Sequence, residues 1–364
     1  MKVSVNQKNL KKALSLVERV VARNVALPIL NNILLKTENG RLKISATNLE
    51  IGINYLIGAK IDEVGDIAVP ARIFADFVNH VQEDVLNLTT KNNTLLVHSK
   101  KYKTNILGFD TKEYPIIPKI KDSAICVVSA QQLQTALATT VDSIAVSETR
   151  MELSGLYIRF TPKKLIFAAT DSFRLVEKVI PVECTRETSI ILPRSTVVEL
   201  VKVAGEVEGD ITIHVSDNQV AFSSDDCELV SRLIDGKYPE YQRVIPEKFI
   251  SKALVSKNDL DTNTRLAGLF SSSISDIKLS CDTKTLYIAA KNSDRGEAHV
   301  EIDSVLKNDP FDISLNYHYL LDGLKIMPTD KIVIEFTGSG SPLVLKPAED
   351  QQGLIYLIMP LRGQ

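Results

Sequence analysis

Tryptophan is missing from this chain altogether, cysteine is scarce at four residues, and neither sign of charge prevails, with 43 lysines and arginines against 45 aspartates and glutamates. Each shortage excludes something. Cys126, Cys184, Cys227 and Cys281 are scattered without the short paired spacing of a zinc site or the density of a disulfide framework, so they read as reduced, buried, inert thiols. No apolar run approaches the ~18 residues of a helical membrane span, and Met1-Lys2-Val3-Ser4-Val5 alternates like a strand rather than opening a signal peptide. The expectation is a soluble, cytoplasmic protein. A formal charge of −2 and a pI near 6.3 argue against a uniformly basic nucleic-acid binder, but not against charges sorted by face.

Catalytic constellations are equally thin. His80, His98, His214, His299 and His318 each stand alone, with no second ligand three or four residues away, and read as structural or surface residues. Ser172 lacks the Gly-x-Ser-x-Gly elbow of a nucleophile. Gly338-Ser339-Gly340-Ser341 lacks the Gly-Lys-Ser/Thr ending of a phosphate loop and reads as a hairpin turn. No catalytic residue, metal or cofactor is expected.

What the chain does contain is repetition at a spacing of roughly 120 residues. A polar turn leads into an alternating strand at Gly40 to Asn48, at Lys163 to Asp171 and at Lys284 to Asn292. A second marker follows each copy in register. Ile67-Ala68-Val69-Pro70 precedes Ile73, Phe74, Phe77 and Val78; Ile190-Ile191-Leu192-Pro193 precedes Val197, Val198, Leu200 and Val201; Ile313-Ser314-Leu315-Asn316 precedes Leu320, Leu321 and Leu324. A third marker closes the first two copies, at Tyr114 to Pro118 and at Tyr238 to Pro246. Three ordered markers predict three similar domains, at 1–122, 123–249 and 250–364, each large enough to bury its own core.

Periodicity assigns each repeat two amphipathic helices and many short strands, an α+β pattern of mostly antiparallel sheet. Leu10, Leu14, Val17 and Val21 predict a first helix over 7–22. Leu133, Leu137, Thr140 and Ile144 mark its counterpart behind Ser129, and Leu260, Leu266, Leu269 and Phe270 mark the third behind Ser256. Strands are predicted at 85–90, 95–98, 210–215 and 331–336, broken by Asn-Asn, Asp-Asn or Gly-Ser turns. Lys8, Lys12 and Arg19 lie opposite the apolar stripe of the first helix, and Arg72, Arg194, Lys202 and Lys325 sit on the second helices. Glu83, Asp84, Asp225, Asp226, Glu349 and Asp350 gather in loops instead. Helix faces sorted in this way would attract a phosphate backbone without reading bases.

Four separated segments then carry a resemblance: Leu27 to Leu35, Ala169 to Leu175, Ser231 to Tyr241, and Met359 to Arg362. In that order, on a threefold repeat, the chain resembles the bacterial DNA polymerase III beta subunits, the sliding clamps, over essentially its whole length. The resemblance implies three clamp-type domains, each with two helices packed on antiparallel sheets, and a head-to-tail homodimer forming a six-domain ring. It implies no enzyme activity. The expected function is to encircle duplex DNA without sequence preference and to tether the replicative polymerase alpha subunit, the clamp-loader complex, other DNA polymerases, mismatch-repair proteins and ligase through short peptides. The expected setting is the cytoplasm, in association with the nucleoid.

Carried over residue by residue, the peptide site comprises Leu153, Thr170, Ser172, Phe173, Arg174, Leu175, Pro239, Arg243, Val244, Pro342, Leu357, Met359, Pro360, Leu361 and Arg362. Lys12, Arg19, Arg23, Arg72, Arg150, Arg194 and Lys202 are the expected DNA contacts. Lys103, Thr104, Asn105, Ile106 and Leu107 are expected to meet Leu269 and Phe270 of the other subunit. Ser172 departs from the family's usual glycine, Met151 and Glu152 replace aromatics of some relatives, and Gly363-Gln364 follows the last arginine where an apolar residue is common. Two other readings compete: an enzyme with its site at Thr170 to Arg174, and a peptide-binding scaffold that never meets DNA.

Overall fold

The protein is described from a computed structural model covering residues 1–21, 27–120, 122–147, 149–338, 340–349 and 353–361. All three copies of the first marker are strands: Arg41–Thr47, Lys164–Thr170 and Thr285–Asn292. In all three copies of the second, a strand runs directly into a helix. Asp66–Pro70 enters α2 (Ala71–His80), Thr188–Pro193 enters α4 (Arg194–Glu206), and Phe311–Asn316 enters α6 (Tyr317–Ile326). The remaining helices are α1 (Gln7–Val17), α3 (Ala130–Thr140) and α5 (Lys257–Gly268). Among the described residues every strand pairing between named strands is antiparallel, as the alternating patterns predicted.

Local chemistry accounts for these elements. The Asn6 side chain caps α1 by accepting from the Lys8 and Asn9 amides, and Ser256 caps α5 by accepting from Asp259. Asn92 and Asn93 both adopt left-handed φ, +44° and +51°, in the two-residue turn that joins Val85–Lys91 to Thr94–His98. Asparagine tolerates that conformation because its short polar side chain bonds locally.

Two helix expectations need correction. The first helix does not reach residue 22 as an α-helix: it ends at Val17 and tightens into a 3-10 turn over Glu18–Val20. In α5 the buried face is Leu260, Thr264, Ala267 and Gly268, whereas Leu266 and Leu269 are exposed. Close approach explains the change. A methyl on Gly268 would meet the Tyr317 ring at 2.8 Å, so α5 lies against α6 through its smallest residues and its leucines turn outward.

The backbone divides into two compact units that cut across the repeat: one holds 1–135, 182–186 and 195–234, the other 136–181, 187–194 and 235–364. In the first unit the sheet runs through Lys103–Leu107, Thr94–His98, Val85–Lys91, Lys2–Asn6, Ile51–Glu63 and Cys227–Arg232, then on to Gln219–Ser223, Asp210–Val215 and Ala124–Ser129. Ile51–Glu63 is long enough to take two partners along one edge: Cys227 to Ser231 lie beside Tyr55 to Ile51, and Lys2 to Val5 beside Glu63 to Ala59. In the second unit, Thr188–Pro193, Gly155–Thr161, Lys164–Thr170 and Arg174–Pro181 continue into Leu354–Ile358 and the strands of the third repeat. The central repeat thus gives half of its strands to each unit.

Candidate functional site

Within the second unit, Lys164–Thr170 and Arg174–Pro181 are joined by a three-residue loop held by its own side chains. Thr170 Oγ1 donates to the Arg174 carbonyl at 2.7 Å and accepts from the Ser172 amide at 3.1 Å. Asp171 Oδ1 accepts from the Phe173 and Arg174 amides, both at 3.0 Å. Ser172 stands at φ +78°, the left-handed conformation that glycine adopts without cost. The loop therefore keeps a backbone shape suited to glycine, with serine in place.

Arg174 is the hub of this loop. Its Nε donates to Asp171 Oδ2 at 2.9 Å, its Nη2 to the Asp142 carbonyl at 2.6 Å and its Nη1 to the Asp322 carboxylate of α6. The guanidinium also lies over the Tyr319 ring, 5.1 Å from its centroid. Burial alone would lower the Arg174 pKa, but Tyr356 and Asp171 more than offset it and hold the group above its ordinary range. Its charge is consequently engaged in fixing the loop.

Beside the loop lies a cleft of about 260 Å³ lined by Arg150, Leu153, Thr170, Ser172, Arg174, Leu175, Pro239, Glu240, Tyr241, Val244, Leu357 and Met359. Leu153 comes from the 3-10 turn Met151–Ser154 and Val244 from the 3-10 turn Tyr241–Val244, while Leu175 and Leu357 face each other across paired strands. Tyr238 and Tyr241 are buried, and both pack on Tyr157; the Tyr241 hydroxyl donates to Glu177 at 2.6 Å. Burial, and then the bond to Glu177, push the Tyr241 pKa upward. The floor is apolar, and the arginine at the rim, Arg150, reaches Glu152 at 3.3 Å and Ser172 at 3.4 Å. Such a cleft suits large apolar groups.

Of the residues carried over for a peptide site, Leu153, Thr170, Ser172, Arg174, Leu175, Pro239, Val244, Leu357 and Met359 come together in this lining. Phe173 lies outside it, 59% exposed and stacked on Tyr319. Arg243 turns to Glu240 at 2.5 Å, and the Pro342 carbonyl accepts from Thr337. Pro360 is half-buried beyond the lining, and the Leu361 amide donates to Ser314. Arg362, Gly363 and Gln364 lie outside the described residues, as does Arg23. Three lining residues were missed: Glu240 and Tyr241, although both sit in the Tyr-Pro segment that marks the repeat, and Arg150, which was assigned to DNA instead.

The other basic residues assigned to DNA are mostly paired. In the first unit Lys12 donates to the Glu206 carbonyl at 2.8 Å, and Arg19 grips Glu199 through two bonds of 2.6 and 3.3 Å. Arg72 is exposed, 3.8 Å from Asp76, and Lys202 is exposed on α4. In the second unit Arg194 is exposed at the start of α4. Among the described residues the strand Lys103–Leu107 is the edge of its sheet and pairs only with the strand Thr94–His98, with Ile106 buried and Leu107 76% exposed. Leu269 and Phe270 follow the end of α5, Leu269 exposed and Phe270 half-buried.

Comparison with known proteins covers the whole chain. Residues 1–118, 127–240 and 242–362 match, in order, the models of the N-terminal, central and C-terminal domains of the DNA polymerase III beta subunit. The chain is 28% identical to the beta sliding clamp of Rickettsia bellii, with all of both chains covered, and 28% identical to that of Staphylococcus aureus, with 94% of each covered. The DNA polymerase III beta subunit of Thermotoga maritima superposes with a TM-score of 0.94 at 26% identity, covering both chains completely. The Pseudomonas aeruginosa sliding clamp bound to griselimycin shares the fold at a TM-score of 0.95 and 24% identity, again over both whole chains.

Proposed function

The chain belongs to the bacterial DNA polymerase III beta-subunit family, and we propose that, as a non-catalytic DNA sliding clamp, it closes head to tail with a second copy into a six-domain ring around duplex DNA. Domains at 1–122, 123–249 and 250–364 contribute three sixths each time. Retention then comes from topology. Sequence-blind phosphate contacts alone give dissociation constants of roughly 10⁻⁴ to 10⁻⁶ M, too weak to hold a protein through long synthesis but weak enough to let it slide. Lys12, Arg19, Arg23, Arg72, Arg150, Arg194 and Lys202 are the candidate phosphate contacts. The pairing of Lys12 and Arg19 with Glu206 and Glu199 tempers their charge, which suits movement along the duplex. Lys103 to Leu107 is the candidate dimer edge, supported by its place as the last strand of its sheet among the described residues, with Leu269 and Phe270 as the apolar surface that meets it.

The observation that carries the partner reading is the apolar cleft walled by Leu153, Leu175, Val244, Leu357 and Met359. It accepts the short tails of the replicative polymerase alpha subunit, the clamp loader, other polymerases, mismatch-repair proteins and ligase, in the cytoplasm at the nucleoid. A tail burying ~300 Å² of apolar surface gains about 7 kcal/mol before ordering costs, against roughly 8 kcal/mol for a micromolar complex. Polar contacts at the rim have to offset the ordering, so the affinity is micromolar or weaker and partners exchange. Two measurements test this. Loaded protein should remain on circular DNA and run off when the circle is cut, and equal retention on both would remove the ring. A fluorescent hexapeptide carrying leucine and phenylalanine should bind one per chain and lose at least tenfold in affinity on Val244→Asp; an unchanged affinity would remove the cleft.

A further inference from the structure

The first repeat carries the same loop as the cleft, with the same four hydrogen bonds to its threonine hydroxyl and Asx oxygen. Thr47 Oγ1 donates to the Ile51 carbonyl at 2.9 Å and accepts from the Leu49 amide at 3.0 Å. Asn48 Oδ1 accepts from the Glu50 and Ile51 amides at 3.0 and 2.7 Å, as Asp171 does in its own loop. Leu49 even stands at φ +76° where Ser172 has +78°, an uncommon conformation for leucine. The surroundings correspond too. Val230 lies opposite Gly52 as Leu357 lies opposite Leu175, and Leu30 is buried in the 3-10 turn Pro28–Asn31 as Leu153 is in Met151–Ser154. Tyr114 is buried ahead of Pro115 as Tyr238 is ahead of Pro239.

One position breaks the correspondence. Gly52 stands where the cleft has Leu175, and the side chain of Ile117 lies on it: a methyl placed on Gly52 would meet Ile117 Cγ2 at 2.7 Å and Cγ1 at 3.0 Å. In the second unit the equivalent stretch after Pro239 sends Tyr241 into the wall, and Leu175 lines the cleft. We propose that Ile117 is an intramolecular occupant of the first-repeat counterpart of the tail cleft, admitted by Gly52, and that this pair holds each chain to one tail site. Half-exposed Leu27 and Leu49, at the positions matching the lining residues Arg150 and Ser172, are the remaining apolar rim of that covered cleft. The proposal rests on reading the Leu153 to Met359 cleft as a tail site.

The test is stoichiometry, measured by calorimetric titration of the full-length protein with the leucine- and phenylalanine-bearing hexapeptide. The wild type binds one per chain and Val244→Asp none. Ile117→Ala is expected to bind two, and the double variant Ile117→Ala with Val244→Asp to keep one. Ile117→Val, which retains both branches over Gly52, stays at one. An Ile117→Ala protein that melts normally and still binds one, with none left in the double variant, overturns the plug while leaving the tail cleft intact. A wild type that binds none overturns the tail cleft and the plug with it. Methyl NMR of the wild type supplies a reading that needs no substitution: Ile117 should show a nuclear Overhauser contact to Gly52 and keep its shift as the probe saturates. No contact, or a shift that moves with saturation, refutes the occupancy.

Discussion

Arg174→Ala should be the most costly single change around the cleft. The guanidinium is 13% exposed and serves Asp171, Asp322 and the Asp142 carbonyl at once, so alanine leaves three acceptors without their donor. Breaking a buried pair on one side costs about 3–5 kcal/mol, because the surviving charge stays desolvated. Asp171 is 19% exposed and keeps two backbone amides, and Asp322 is 42% exposed and can turn to water. The expected loss therefore sits at the lower end, about 3 kcal/mol. For a cooperative unit of this size each kcal/mol moves the midpoint by about 2–4 °C, so calorimetry should show a transition lowered by about 6–12 °C. Arg174→Lys keeps the charge without the planar fork and should lose about half as much. Adding Asp171→Asn to Arg174→Ala should recover part of the loss, since a neutral amide is easier to leave unpaired than a carboxylate. A loss under about 1 kcal/mol for Arg174→Ala, or no recovery in the double variant, would refute the assignment of Arg174 as the loop's structural hub.

Gly323→Ala should destabilise by about 2–3 kcal/mol in urea titrations despite the better helix propensity of alanine. The new methyl meets Tyr356 carbons at 2.5 and 2.6 Å, and that ring is fully buried with its hydroxyl bonded to the Tyr319 carbonyl at 2.9 Å. Ser172→Gly should stabilise by about 0.5–1 kcal/mol by relieving the left-handed serine at φ +78°, whereas Ser172→Ala should not; equal effects of the two would place the strain elsewhere. Stability should fall on the alkaline side. Burial raises the Tyr55 and Cys227 pKa values to about 12 and pushes Tyr114, Tyr238, Tyr241 and Tyr356 upward as well. Groups raised in the folded state bind protons that the unfolded chain has released, so their contribution is whole below about pH 9 and is lost as pH climbs toward 12. Denaturant midpoints measured from pH 8 to 11 should decline, and Tyr55→Phe should flatten the decline.

Much of the fold was legible because each element satisfies a local rule. The alternation in Arg41–Thr47, Lys164–Thr170 and Thr285–Asn292 buries one face, and the strand-then-helix order behind each copy survives the loss of proline at Asn316. Asn316 takes over as a helix cap, accepting from the His318 amide. The α5 stripe misled because periodicity weighs residues by apolarity, while the packing against Tyr317 selects by size and favours Gly268 over Leu266. The cleft residues were found through resemblance: nothing in the spacing of Leu153, Leu175, Val244 and Met359 says that they share a wall.

The sequence by itself determined the threefold plan and the antiparallel α+β class, since these follow from alternation, capping and turn chemistry within a few residues. Tertiary structure alone decided that the central repeat divides its strands between two sheets, because a strand's pattern states which face is buried and not which neighbour it bonds. It also decided what each loop does. The Arg174 donors find Asp142 and Asp322 from distant segments, and Ile117 finds Gly52 across more than sixty residues, so one loop borders an open cleft and its twin a covered one.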